Sequence, residues 1–222
     1  MFLLIDIGNT KTKWMLRDIK SIYTQDTFFT EDIDQDHFEF DEKIKKILIS
    51  NVAGFEKEAI LKIKLKKFSC PIEFIKPHKT YKHLLNNYED VTRLGTDRWL
   101  SALSVSHDIK KAAVIASVGT AVTIDYVSYD QKTNQHTFEG GVILPGLHLT
   151  KNTLSNDTAD LKNGEGLFQM PPIDTANAIE SGFILSGGDA EIIHEHMDES
   201  LRKYVSIKKD LVLEGLFVLA KS

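Results

Sequence analysis

Residues 5–13 read IDIGNTKTK, and this stretch limits the fold more than any other. An apolar strand delivers one acid, Asp6, then breaks at Gly8-Asn9-Thr10 and returns at once with Lys11, Thr12 and Lys13. Residues 117–125, SVGTAVTID, repeat the plan: a buried strand, a Gly119-Thr120 turn, and a second strand ending in Asp125. Each strand–glycine turn–strand unit is followed by a third strand and by helical patterns. The expectation is an α/β chain of two similar halves, each a mixed sheet flanked by helices, with a split near residue 110 (1–110 and 111–222). With 222 residues, the chain can bury a core in each half.

The remaining elements follow from periodicity and punctuation. Phe2–Ile7, Lys11–Leu16 and Ile22–Phe29 read as strands, and the acidic run from Thr30 to Asp41 as a loop. KILISNVAG (46–54) reads as a buried strand with a small-residue exit. In FEKEAILKIKLKKF (55–68) apolar residues are too frequent for period alone to separate helix from strand, and the length and Glu-to-Lys order favour a helix with a solvated lysine face. LGTDRWLSALSVSHD (94–108) is expected to be a helix capped by Thr96. HTFEGGVILPG (136–146) reads as a strand with a Pro-Gly exit, and DLVLEGLFVLAKS (210–222) as a short amphipathic helix. No Gly/Ser- or Pro-rich linker separates the halves.

A tight turn exposes backbone N–H groups, and glycine keeps side chains out of the way. Asn9, Thr10 and Lys13 add donors and charge to the first turn, and Asp6 is placed to hold a hydrated Mg²⁺ over the same anion. A plain hairpin with Asp6 capping the turn explains the same letters. Gly119, Thr120 and Thr123 form the second candidate turn, and a triphosphate gripped by both turns is one outcome of the pair. In GTDR (95–98), Asp97 can accept a substrate hydroxyl proton and Arg98 can bind a carboxylate or phosphate bidentately. Equally, Asp97 can serve the helix dipole while Arg98 is solvated. His194 and His196 lie two apart, on different faces of a helix, so zinc is not expected there.

Composition excludes several classes. Net charge is −5, which does not suit a general nucleic-acid binder. Cys70 is the only cysteine, so no intrachain disulfide forms, in keeping with a reducing compartment. No run approaches the ~20 apolar residues of a membrane span, and MFLLIDIG is too short for a secretory segment. A soluble cytoplasmic protein is expected.

Taken in order, IDIGNTKTK, YEDVTRLGTDRW, GTAVTID, GGVILPG, DTANAIESG, SGGDA and DLVLEGL resemble the type III pantothenate kinases over nearly the whole chain. The resemblance implies the duplicated, ribonuclease H-like fold of actin, sugar kinases and heat-shock ATPases. It implies transfer of the ATP γ-phosphoryl group to pantothenate, the first step of coenzyme A synthesis, with Mg²⁺ and a monovalent cation (K⁺ or NH₄⁺). By the same resemblance, Asp6, Ile7, Gly8, Asn9, Thr10, Lys11, Thr12 and Lys13 hold the ATP phosphates, with Thr120 contacting ATP from the second turn. Asp6 and Asp125 are the Mg²⁺ candidates. Tyr88, Gly95, Thr96, Asp97 and Arg98 fall on the pantothenate site, with Asp97 as proton acceptor. Thr175 falls on a substrate contact supplied across a homodimer interface.

The chain departs from the family's pattern twice. Ser117 stands where the family has the aspartate that binds the monovalent cation. ESGFILSGGDA (180–190) joins two motifs that a helix end and a strand usually separate, so a strand of the second half is expected to be lost or shortened. The alternatives are another small-molecule kinase of the same superfold, or a kinase-like protein with impaired catalysis and a regulatory role.

Overall fold

In the computed structural model, the chain is described over residues 1–40, 42–146, 149, 183–197, 199–202 and 205–221. It divides into two units: Met1–Lys79 with Glu89–His107 and Leu211–Ser222, and Thr80–Tyr88 with Asp108–Asp210. The first unit is built on β1 (Phe2–Ile7), β2 (Lys11–Arg17), β3 (Ile22–Phe29), β4 (Lys46–Asn51) and β5 (Ile72–Phe74). They form one sheet in the order β3-β2-β1-β4-β5. β1, β2 and β3 pair antiparallel, while β1–β4 and β4–β5 are parallel. Period-2 alternation sends Leu3, Ile5 and Ile7 to one face, where they meet Trp14, Ile47, Ile49, and Leu61 and Leu65 of α1 (Phe55–Leu65). Leu4 and Leu48 alternate to the opposite face and are also fully buried.

That opposite face is covered by the last helix. α2 (Thr96–Asp108) also belongs to the first unit. α3 (Ala190–His196) and α4 (Glu199–Arg202) belong to the second, and α5 (Leu211–Ala220) returns to pack on β1 and β4. A Cβ on Gly215 of α5 would overlap the backbone carbonyl of Leu100 in α2, so these two helices touch backbone to backbone. α5 is apolar on most sides rather than amphipathic: Leu211, Leu213, Leu216, Phe217 and Val218 are all buried. Arg17 of β2 donates from one nitrogen, Nη1, to both carboxylate oxygens of Glu214 (2.9 and 3.0 Å), and its guanidinium lies 3.5 Å from the Phe217 ring centre. The expected division at 110/111 therefore sits near the His107/Asp108 boundary, but the C-terminal helix and the Thr80–Tyr88 segment each belong to the other unit.

The second unit repeats the first. β8 (Ala113–Val118), β9 (Ala121–Asp130), β10 (Gln135–Pro145), β11 (Phe183–Ser186) and β12 (Val205–Ile207) run in the order β12-β11-β8-β9-β10. β8–β9 and β9–β10 are antiparallel, and β8–β11 and β11–β12 are parallel, as in the first sheet. β7 (Leu84–Asn86) and β6 (Thr80–Tyr81) extend the sheet beyond β10. This is the duplicated actin-like plan. Of the loss or shortening expected near 180–190, loss does not occur: the letters FILS are β11 itself, a strand of four residues paired with β8.

Candidate active site

The first turn joins paired residues Ile7 and Thr12, so four residues, Gly8 to Lys11, make the connection. Gly8 N–H donates to Lys11 O (3.1 Å), and a Cβ on Gly8 would stand 2.8 Å from that oxygen. Asn9, Thr10 and Lys11 are exposed, whereas Ile7 and Thr12 are fully buried. The exposed residues are those able to meet a ligand; Ile7 and Thr12 fix the turn from within. Asp6 lies opposite Lys13 on β2 and Ser50 on β4, so an acid, a base and a hydroxyl occupy adjacent strands at the carboxyl end of β1.

The second turn differs in length. Val118 pairs with Val122, leaving three residues, and Gly119 N–H donates to Ala121 O (3.0 Å). Two glycines from other segments clasp it. Gly146 N–H donates to Thr120 O (3.0 Å), and a Cβ there would overlap the carbonyl oxygens of Gly119 and Thr120. Gly187, at φ +104°, packs in the same way on the backbone of Val118. These contacts explain the last glycine of GGVILPG and the first of SGGDA: both approach the backbone of one hairpin.

Superposing the two plans by register puts Ser117 where Asp6 stands. Ser117 lies opposite Thr123 on β9 and Ser186 on β11. The charged Asp6–Lys13 pair is thus answered by hydroxyls alone, and Thr123 Oγ1 is buried without a hydrogen-bond partner. Asp125 lies further along β9, in register with Ile115 and Gly141, and is 1% exposed. A Cβ on Gly141 would overlap its carboxylate, so Asp125 is packed beneath β10 and away from the turn tip. β9 does not end at this acid; it continues to Asp130.

The GTDR segment opens α2. Thr96 is the first helical residue and not the cap: Trp99 N–H donates to Gly95 O (3.2 Å), and the Thr96 hydroxyl turns to Ile75 O (3.4 Å). Asp97 Oδ1 accepts the Arg98 N–H (2.8 Å), which holds the carboxylate over the first turn, where the helix dipole favours negative charge. A Cβ on Gly95 would stand 2.5 Å from that oxygen, so glycine is the residue that leaves the carboxylate its place. Arg98 is 5% exposed, which rules out a solvated side chain. The approach to this helix is also braced: Asp90 accepts from the Thr92 hydroxyl (2.6 Å) and N–H (3.0 Å), which lowers its pKa.

Tyr88 is carried by the second unit. Asn87 N–H donates to Phe138 O (2.9 Å), Tyr88 N–H to Asn86 Oδ1 (3.0 Å), and the Tyr88 ring lies 6.1 Å from that of Phe138. A bulge between Phe138 and Gly140 (φ +119°) sets Glu139 out of register, where it accepts from Ser128 (2.6 Å) and Asn87 (3.2 Å). The sequence gives no direct sign of Glu139; the paired glycines after it were the available clue to a bulge. Thr175 lies outside the described residues.

The family model for type III pantothenate kinase matches residues 2–190. The chain belongs to the type III pantothenate kinase family. A type III pantothenate kinase of Methylobacillus flagellatus is 26% identical over a 252-residue alignment covering 99% of this chain and 97% of the relative. One from Acinetobacter baumannii is 30% identical, covering 96% and 95%. A Campylobacter jejuni protein described as a Baf family transcriptional activator shares the fold, with a TM-score of 0.61 at 22% identity over 99% of this chain and 97% of that one. As a type III pantothenate kinase family member, the chain is an ATP-using phosphotransferase. No helix among its described residues is long and apolar enough to cross a membrane.

Proposed function

We propose that this chain transfers the γ-phosphoryl group of ATP to the primary hydroxyl of pantothenate, giving 4′-phosphopantothenate. Family membership over residues 2–190 is the observation that carries this reading. Phosphoryl transfer passes through a loose transition state, so positioning and neutralisation of charge do most of the catalysis. In this reading the Gly8–Lys11 turn and Lys13 bind the nucleotide phosphates, with Thr120 as a further contact. Asp97 aligns the acceptor hydroxyl and takes its proton. Arg98 anchors the substrate or the helix start, and Tyr88 and Thr175 contact pantothenate.

Asp6, one carboxylate at the carboxyl end of β1, suits Mg²⁺. No group of three or more His, Cys, Asp or Glu is gathered for a metal among the described residues. Mg²⁺ characteristically takes one or two carboxylates and completes its shell with phosphates and water. When bound there, Mg²⁺ would supply neutralisation of phosphate charge. Asp6 is the proposed protein ligand, and the burial of Asp125 beneath Gly141 favours a packing role for it. The hydroxyls of Ser117, Thr123 and Ser186 do not fit a carboxylate-held K⁺ or NH₄⁺ site, so weak dependence on either ion is proposed. A homodimer in the cytoplasm completes the proposal; sedimentation showing only monomer at assay concentration would remove the dimer.

The test is ATP-dependent phosphorylation of pantothenate by the wild-type protein and by Asp97→Asn, each with and without K⁺. Turnover in the wild type that falls ~10²–10⁴-fold in the variant supports the assignment of Asp97 as proton acceptor. Absence of turnover in the wild type under both conditions overturns the proposed activity.

A further inference from the structure

Thr30 is the first residue after β3, in a stretch whose composition suggested only an acidic loop. It is 2% exposed and belongs to a one-turn 3₁₀ segment, Thr30–Asp32. Its N–H donates to Thr10 O (2.9 Å) and its hydroxyl donates to Gly8 O (2.8 Å). Thr12 Oγ1 stands 2.9 Å from the same Thr30 hydroxyl. A hydroxyl has one hydrogen, and that of Thr30 is engaged on Gly8 O, so Thr12 must be the donor in this third contact. The result is a directed chain, Thr12 hydroxyl to Thr30 hydroxyl to Gly8 carbonyl, with the Thr30 amide fastening Thr10.

We propose that Thr30 is a positioning residue for the nucleotide-phosphate turn: it draws the carbonyl oxygens of Gly8 and Thr10 toward the protein interior so that neither faces a phosphate at the outer face of the turn. A carbonyl turned outward would set a partial negative charge against a phosphate, and a cradle for anions needs the opposite polarity. At the turn's end, Lys11 O is taken by Gly8 N–H. The Thr12–Thr30 contact is buried and the Thr30–Gly8 bond partly so, and a hydrogen bond shielded from water is stronger than one at the surface. Thr30 touches no substrate in this scheme; it acts through Gly8 and Thr10.

The inference rests on the reading that residues 8–13 hold the ATP phosphates, and the experiment separates the two. KM for ATP, KM for pantothenate, kcat and Tm are measured for Thr30→Val, Thr30→Ser, Thr12→Val and Lys13→Ala. Thr30→Val removes the hydroxyl without changing the branching; it is expected to raise KM for ATP about tenfold while KM for pantothenate stays within about twofold. Thr30→Ser is expected to recover wild-type KM for ATP within about twofold, and Thr12→Val to raise it about threefold. If Lys13→Ala weakens ATP binding and Thr30→Val does not, Thr30 has no positioning role and the turn reading stands. If neither variant changes KM for ATP, both the inference and the turn reading fall. Equal rises in both KM values with a falling Tm would assign Thr30 to general stability and overturn the inference. Should Thr30→Val fail to fold, Thr12→Val decides, and an unchanged KM for ATP in that variant overturns the inference.

Discussion

A Cβ placed on Gly95 meets the end of a side chain, the Asp97 carboxylate, whereas one placed on Gly146 meets the carbonyl oxygens of Gly119 and Thr120. A side-chain terminus can move at little cost, and a backbone carbonyl in a hydrogen-bonded hairpin cannot. Gly95→Ala is therefore expected to keep a near-native Tm while displacing the Asp97 carboxylate, lowering kcat/KM by about 10- to 100-fold. Gly146→Ala is expected to cost about 2 kcal/mol of stability, read by denaturant unfolding. A reversed pattern, with Gly95→Ala unstable and Gly146→Ala merely slow, would refute the contrast. His136 gives a pH prediction at the same scale. It is 2% exposed on β10, and its ring lies 4.6 Å from that of Tyr129. Burial, with repulsion from His83 as a lesser cause, lowers its pKa below the ordinary 6.5. The unfolded chain thus takes up a proton before the native one. Stability from this group is full above about pH 6.5 and falls as pH drops through the interval between the two pKa values, with a slope of at most ~1.4 kcal/mol per pH unit. Unfolding of the wild type and of His136→Phe at a series of pH values checks this; parallel pH dependences would contradict it.

Between elements, the telling contact is that of α5 with α2 and β2. Gly215 lets the two helix backbones meet at Leu100, and Gly215→Ala would force them apart, at about 1–3 kcal/mol. The Arg17–Glu214 pair lies beside that crossing. Its side chains are 12% and 37% exposed, so it is better shielded than an ordinary surface pair. Arg17→Ala removes both the ion pair and the guanidinium packed on Phe217 and is expected to cost about 2 kcal/mol. Arg17→Lys, which keeps one charged nitrogen for Glu214 but loses the planar group on Phe217, should fall between the two; equal stability of Arg17→Ala and wild type would show that neither contact contributes. In β3, by contrast, Ile22, Tyr23 and Phe29 are about half exposed or more, which leaves the core of the first sheet to its inner strands.

At the scale of the molecule, the repeated strand–turn–strand letters made the duplication legible, because a period-2 apolar run ending in glycine admits few other readings. Strand positions in the first unit also followed from alternation, with β1 and β3 at the expected bounds. What stayed hidden depends on residues far apart in the chain. The return of α5 to β1 is decided by a complementary surface more than a hundred positions upstream, which periodicity cannot display. Thr96 looked like a cap by its type, yet Ile75 supplied another partner and Gly95 took the cap. At the site, the glycines and acids were legible as types; the brace from Thr30 and the Glu139 bulge were not, because a threonine after a strand and a glutamate in one carry no distinctive spacing. If α5 closes the first sheet, a chain ending at Asp210 should leave Leu4 and Leu48 uncovered, giving higher binding of a hydrophobic dye and loss of the first unit's cooperative transition. An unchanged transition would show that α5 is dispensable.

The same return has a consequence during synthesis. A ribosome makes β1 to α2 first, then the Asp108–Asp210 stretch, and only afterwards α5. At about 5–20 residues per second, roughly 5–20 s separate the completion of α2 from that of its partner helix. Throughout that interval the nascent first sheet has one face uncovered, while the strands of the second unit are added one by one and β12 only just before α5. The N-terminal half of this kinase is thus the last to finish, and its exposure to holding chaperones is set by the length of the chain between the two helices.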